Sequence, residues 1–247
     1  MSRPPLGARF TAPRGLPEGE GWHRASALFG PRLAEFVAEH RRARRTEHTV
    51  AAASLLFCQY VNQVTGPVLA RYWLDGRGID ASAANTWVHL SGGRLGDAAF
   101  TTAPTRDRSG GDDTLAWLMR RMVDDNLAHA VEAWHRATRV GRRTLWGNVA
   151  SGIATAMRAI SWTQPDPARF VAETASLLEH HPGTGGLCAV SSLPVGGYRW
   201  QTHHRTSCCL MFKTGDGGFC ATCPVVPAPQ RAARVRRMID ETLPPRA

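Results

Sequence analysis

Lysine is almost absent from this sequence. Of its 30 basic residues only Lys213 is a lysine, so the formal net charge of +10 on 247 residues is carried by arginine spread along the chain. Such a bias reflects overall composition as much as any partner, and without a recognition-helix motif it does not point to nucleic acid. Long apolar runs are missing as well: none approaches the ~18 residues of a membrane span. Met1 to Trp22, rich in Pro, Gly and Arg, lacks the ~7–15-residue apolar core of a secretory signal. Repeats at solenoid period are absent, and so is the alternation of strand and helix that builds a doubly wound sheet. These absences leave a soluble, cytoplasmic, globular protein with 43% hydrophobic residues to bury, made where thiols stay reduced and a disulfide framework is not expected.

Helical spacing of apolar residues dominates what is present. Phe29, Leu33, Phe36 and Val37 form one stripe, and Phe57, Tyr60, Val64, Val68 and Tyr72 a second, which Gly66-Pro67 is expected to kink or break. After Ser109-Gly110-Gly111, Asp112 and Asp113 offer an N-cap to a helix carrying Leu115, Leu118, Met122, Leu127, Val131 and Trp134, expected to run to about Arg139. Leu145, Val149, Ile153, Met157 and Ile160 mark a further helix. Phe170 to His181, opened by Asp166-Pro167 and closed near Gly183, marks another. Thr86 to Phe100, alternating around Ser91-Gly92-Gly93, reads as a β-hairpin, and Tyr198 to Thr202 as a weaker strand. The expected fold is mainly α, of α+β type. A disordered N-terminal tail (1–22) precedes a mainly helical body with a small β-hairpin element (23–204). A cysteine-rich cluster loop (205–224) and a C-terminal helical segment (225–247, with its helix from about Pro229 to Leu243) follow.

Four of the six cysteines fall within sixteen positions. Cys208, Cys209, Cys220 and Cys223 have the spacing C-C-x10-C-x2-C, in which Gly215, Gly217 and Gly218 supply a turn and Pro224 ends the loop. Four thiols so close in sequence, two of them in a C-x2-C pair, are the donor set of a sulfur-ligated metal site. A structural zinc usually takes two separated C-x2-4-C knuckles, which the vicinal Cys208-Cys209 pair does not match well. A [2Fe-2S] cluster needs two thiolates on each of two irons and accepts vicinal cysteines more readily. A catalytic dithiol is the third reading. Cys58 and Cys188, isolated among apolar residues, read as small buried hydrophobes.

Arg205-Thr-Ser-Cys-Cys209 together with Cys220-Ala-Thr-Cys-Pro224 resembles the signature of the FhuF-like ferric-siderophore reductases. Leu145-Trp-Gly-Asn-Val-Ala-Ser151 is similar to that family's helical "GN-A" segment, and Pro67, Leu69, Ala70 and Tyr72 sit as in its first long helix. The resemblance covers about Phe57 to Pro224. It implies a [2Fe-2S] cluster held by Cys208, Cys209, Cys220 and Cys223, and one-electron reduction of siderophore-bound iron(III) with release of iron(II). Siderophore oxygens are hard donors that prefer iron(III), so one electron loosens the metal. Two iron(III), two sulfides and four thiolates sum to −2 and become −3 on reduction. Arg205 and Lys213, inside the motif, would therefore raise the potential if they face the sulfurs.

Gly147-Asn148 interrupts an apolar helix, where glycine costs ~1 kcal/mol relative to alanine. Either the helix approaches the cluster loop there, with Asn148 bonding the loop, or two helices pack closely. His203 and His204 read as strand residues or donors beside the site, and Tyr198 and Trp200 as core or as a cleft wall. Arg41-Arg42-Ala43-Arg44-Arg45 and the face Arg231, Arg234, Arg237 read as solvated surfaces, or as attractors for an acidic electron donor or anionic chelate. Gly183-Thr184-Gly185-Gly186 lacks the strand and helix of a dinucleotide fingerprint, so electrons are expected from an external donor, a ferredoxin or a separate reductase. The alternative class is a non-catalytic zinc protein with a structural four-cysteine site and basic faces for a macromolecular partner.

Overall fold

The longest helix is apolar over most of its surface, which places it at the centre. A computed structural model describes residues 17–101, 105–215 and 217–242. In it α3 (Thr49–Asp75) is buried without interruption over residues 51–57 and 64–70, as a helix that is apolar over most of its surface must be. Of the kink or break expected at Gly66-Pro67, the break does not occur: α3 continues through Pro67. An interior proline costs ~3 kcal/mol. Burying Val64, Val68 and Leu69 completely, at ~1.5–3 kcal/mol each, outweighs it.

α6 (Arg142–Ser161) lies along α3 and is almost as deeply buried. Their backbones come close at Gly152, where a Cβ would stand 2.3 Å from Val61. Around this pair pack α2 (Leu33–Ala43), preceded by the single turn α1 (Ala25–Leu28), and a helical stretch in three registers. That stretch comprises α4 (Gly111–Met119), a π-helical segment (Arg120–Leu127) and α5 (Ala128–Thr138). It opens on Asp107, whose carboxylate accepts Ser109 N–H at 2.9 Å. The expected caps Asp112 and Asp113 lie instead in the first turn, where their charge suits the helix dipole. In the π segment Asn126 is buried and bonds Ala81 O at 2.7 Å, Thr86 Oγ1 at 3.2 Å and Tyr60 OH. Tyr60 in turn stacks on Trp134 at 5.8 Å.

Among the described residues three small antiparallel sheets flank the helices. The first has the order β1-β3-β4, from β1 (Trp22–Arg24), β3 (Thr86–Ser91) and β4 (Arg94–Phe100), the last two forming the expected hairpin. β2 (Arg77–Ile79) pairs with β5 (Thr105–Asp107). β6 (Cys188–Val195) pairs along its length with β7 (Tyr198–Arg205), which is longer than the expected strand. α7 (Phe170–Glu179) packs against α6 and β6. α8 (Ala228–Thr242) sets Val235 and Ile239 against Trp162 and Trp200, fixing the C-terminal helix to the β6-β7 hairpin. Residues 1–16 of the expected tail, and Leu243 of the expected last helix, lie outside the described residues.

Candidate metal centre

β7 ends at Arg205 and delivers the chain into the cysteine loop. Cα pairing sets Arg205 opposite Cys188, and Arg205 N–H donates to Thr222 O at 3.1 Å, so both ends of the loop are tied to one strand end. Successive turns fold the loop: Lys213 N–H to Leu210 O, Thr214 N–H to Met211 O, Gly217 N–H to Thr214 O and Cys223 N–H to Cys220 O, all 2.9–3.1 Å. Gly217 is required by space, since a Cβ there would stand 2.2 Å from Met211 O. From the body, Ser54 Oγ donates to Cys209 O at 3.0 Å, and Thr46 Oγ1 donates to Lys213 O at 3.2 Å.

This folding brings the four loop cysteines together. The sulfurs of Cys209 and Cys220 are in hydrogen-bond contact, which lowers the Cys209 pKa and raises that of Cys220. Cys208 lies beside Cys209 and Cys223, and Cys223 beside Cys220. Backbone N–H groups point at the sulfurs: Leu210 N–H donates to Cys208 Sγ at 3.3 Å and Met211 N–H to Cys209. The thiols meet in neighbouring pairs, a donor set that fits a two-iron cluster, with N–H donors to the sulfurs as such a cluster needs.

Arg205 is the centre of charge. The residue is 4% exposed, and among the described residues no carboxylate pairs with it. Nε donates to Ser207 O at 3.0 Å and Nη2 to Asn148 Oδ1. Burial alone would lower its pKa, but Cys58, Cys209 and Cys220 around it raise it. Cys58 hydrogen-bonds the same guanidinium, and Cys188 and Cys208 also feel its charge. Burial pushes the Cys58 and Cys188 thiols up to about 12, so both stay neutral, Cys188 buried in the core and Cys58 half-buried. An isolated buried cation is costly, and thiolates are the anions at hand to compensate it.

The Gly147-Asn148 pair resolves into two functions. Gly147 faces the loop: a Cβ there would fall 1.7 Å from Ser207 Oγ, so only glycine lets α6 approach. Asn148 bonds the Arg205 side chain rather than loop backbone, and its amide donates to Ser54 O and Oγ at 3.2 and 3.1 Å. Lys213 stands exposed on the loop. His203, buried, points Nε2 toward Thr155 Oγ1 at 3.4 Å and leaves Nδ1 unpartnered. Sequence reasoning missed Ser54 and the tie of Cys58 to Arg205. The available signal for Ser54 was a hydroxyl in the otherwise apolar run Ala51–Phe57.

A groove of about 250 Å3 opens beside the loop at Ala221, between the outer face of the β6-β7 hairpin and α8. Ser191, Thr202, His204, Arg231 and Val235 line it. Burial and the nearby Arg231 lower the His204 pKa, so Arg231 supplies the positive charge.

Comparison with known families places these features. Residues 54–182, just over half of the chain, match the model described as ferric iron reductase FhuF-like transporter, and residues 205–224 match the FhuF 2Fe-2S C-terminal domain. No curated protein gives a significant match. The second match contains all four loop cysteines and decides between the metal readings: the cofactor is a [2Fe-2S] cluster, not structural zinc. Among the described residues no helix is long and apolar enough to cross a membrane.

Proposed function

Because the chain belongs to the FhuF-like ferric iron reductase family, we propose that it is a ferric-siderophore reductase, taking single electrons from an external ferredoxin or reductase and giving them to chelated iron(III). The observation that carries this reading is the gathering of Cys208, Cys209, Cys220 and Cys223, the first three beside a buried guanidinium that no carboxylate neutralises among the described residues. These four cysteines are the ligands in this proposal. When bound, a [2Fe-2S] cluster supplies a one-electron couple at moderate potential.

The remaining roles belong to the chain. Residues 23–204 serve as the body, 205–224 as the cluster segment and 225–247 as its C-terminal buttress. Arg205 offers a fixed positive charge that favours the more negative, reduced state, with Asn148 and Ser207 O holding it in place. Leu210 and Met211 N–H groups act in the same direction on Cys208 and Cys209. Ser54 and Gly147 hold the loop against the body, so these donors need not reorganise when charge changes. The groove at Ala221 is the proposed seat for one arm of the iron(III) chelate: its hydroxyls and Arg231 suit an anionic oxygen-rich ligand, and Ala221, one of the residues that line it, lies between Cys220 and Cys223 in the sequence.

Anaerobic purification tests the reading. The expected product is red-brown, contains iron and labile sulfide, bleaches with dithionite and recovers when a ferric siderophore is added. A bleached protein that does not recover with any ferric chelate overturns the reductase assignment.

A further inference from the structure

Five large hydrophobic side chains are exposed among the described residues: Val50, Leu74, Phe212, Phe219 and Val225, between 39% and 59%. Four of them border the cysteine loop. Phe212 and Phe219 lie within it, Val225 directly follows its Pro224, and Val50 sits between Thr46 and Ser54, the two side chains that bond the loop's carbonyls. The two phenyl rings stack on one another at 5.6 Å and 21°. A paired aromatic surface left in water, on the segment that also carries the ligands, is the kind of apolar patch that marks an interaction site.

Cations from three elements rim this patch; of the carboxylates near it in sequence, the exposed Glu47 pairs with Arg41 at 3.8 Å and Asp216 lies outside the described residues. Lys213 follows Phe212 in the loop and is exposed. Arg234, from α8, donates through Nη1 to Phe219 O at 3.0 Å. Arg45, after α2, is exposed and lays its carbonyl against Gly215, where a Cβ would stand 2.9 Å away. An apolar centre with a positive rim complements a partner whose contact face is acidic and partly apolar. It disfavours a second copy of this chain, which would bring like charges together.

We propose that the Phe212-Phe219 face is the docking surface for an acidic one-electron carrier protein of the ferredoxin class. The proposal rests on reading the loop as the cluster site, and it assigns entry of electrons to this face while the chelate uses the groove at Ala221. Phe219 immediately precedes Cys220, so a carrier seated on the rings is one residue from the thiols. In each encounter the carrier is oxidised by one electron, and one iron(III) of the chelate ends as iron(II); no bond is made or broken in the docking itself. The exposed arginines add long-range attraction that salt weakens.

The test titrates the holoprotein with an acidic plant-type [2Fe-2S] ferredoxin by calorimetry at low and high salt. Phe212→Ser/Phe219→Ser and, separately, Arg234→Glu are expected to raise Kd tenfold or more and to slow ferredoxin-driven reduction by a similar factor. Iron content and dithionite-driven chelate reduction should keep wild-type values. Unchanged Kd in both variants, or no binding by the wild type, overturns the proposal. So does a raised KM for the ferric chelate in the dithionite assay, which would make the rings part of the chelate site. Variants that lose binding to anionic phosphatidylserine vesicles but not to ferredoxin would assign the face to a membrane instead, and also overturn it. A wild type without cluster would strike the reductase reading, while the ferredoxin titration would still decide the docking surface.

Discussion

Arg205 Nη2 donates to Asn148 Oδ1, joining the end of β7 to the middle of α6 across 57 positions of sequence. With Nε on Ser207 O, the guanidinium is fixed beside Cys58, Cys209 and Cys220 and cannot swing away as charge at the thiols changes. The bond also explains why an asparagine follows Gly147 in a buried helix: the glycine admits the loop and the amide holds its cation.

Removing that cation should shift the redox potential. Arg205→Gln is expected to lower the midpoint by on the order of 50–100 mV, the size of one charge lost at close range in a partly screened site, where 59 mV corresponds to ~1.4 kcal/mol for one electron. Arg205→Lys, which keeps the charge but not the fork, should fall between. Protein-film voltammetry reads both, and an unchanged potential would exclude electrostatic tuning by Arg205.

The cysteines should separate into two groups. Serine at Cys208, Cys209, Cys220 or Cys223 is expected to abolish or destabilise the cluster, whereas Cys58→Ser and Cys188→Ser retain it. Iron and labile-sulfide analysis of the six variants gives the answer, and full iron content in any loop variant would remove that residue from the ligand set.

Two glycines of α6 offer a contrast between site and scaffold. Gly147→Ala places a methyl on Ser207 Oγ and should reduce cluster occupancy, with a stability cost of ~1–3 kcal/mol. Gly152→Ala collides with Val61 of α3 and should cost stability while sparing occupancy. Adding Ser207→Gly to Gly147→Ala should restore the cluster, because it removes the clashing atoms. Thermal unfolding and iron analysis together distinguish these outcomes.

His203 predicts an acid limit. Burial first, then the charges of Arg158, Arg205 and His204, hold its pKa well below the ordinary 6.5. The folded protein therefore keeps the imidazole neutral while the unfolded chain protonates near pH 6.5. Its contribution to stability is complete above that pH and declines as pH falls below it, by up to about 1.4 kcal/mol per unit. His203→Leu should flatten the fall of unfolding temperature between pH 7 and 5.5, and an unchanged slope would assign the acid sensitivity elsewhere.

The groove makes its own prediction for the chelate. Arg231→Glu should raise KM for an anionic ferric catecholate several-fold and leave a cationic ferrioxamine-type complex unaffected or improved, because the change reverses the local charge. Equal effects on both chelates would exclude charge recognition at this wall.

Much of this was legible along the chain because it depends on local rules. The C-C-x10-C-x2-C spacing carried the family resemblance and the proposed ligand set, the 3.6-residue periodicity located the long helices, and Ser91-Gly92-Gly93 marked a hairpin. Val195-Gly196-Gly197-Tyr198 carried a similar signal, but β6 has Pro194 and small polar residues in place of clean alternation, so its pairing with β7 was hidden. Whether α3 would break at Pro67 or continue through it was left open by the sequence, since the local cost of the proline is outweighed by neighbours distant in sequence.

The sequence by itself determined which residues can bind the cluster, because thiol chemistry and short-loop spacing do not need the rest of the fold. Only the tertiary structure decided what surrounds them. It removed Arg205 from water without a carboxylate among the described residues, brought Asn148, Ser54 and Cys58 to the loop from two helices, and left Phe212 and Phe219 stacked outside. Those outcomes depend on burial and close approach between segments far apart in the chain, and no local pattern encodes them.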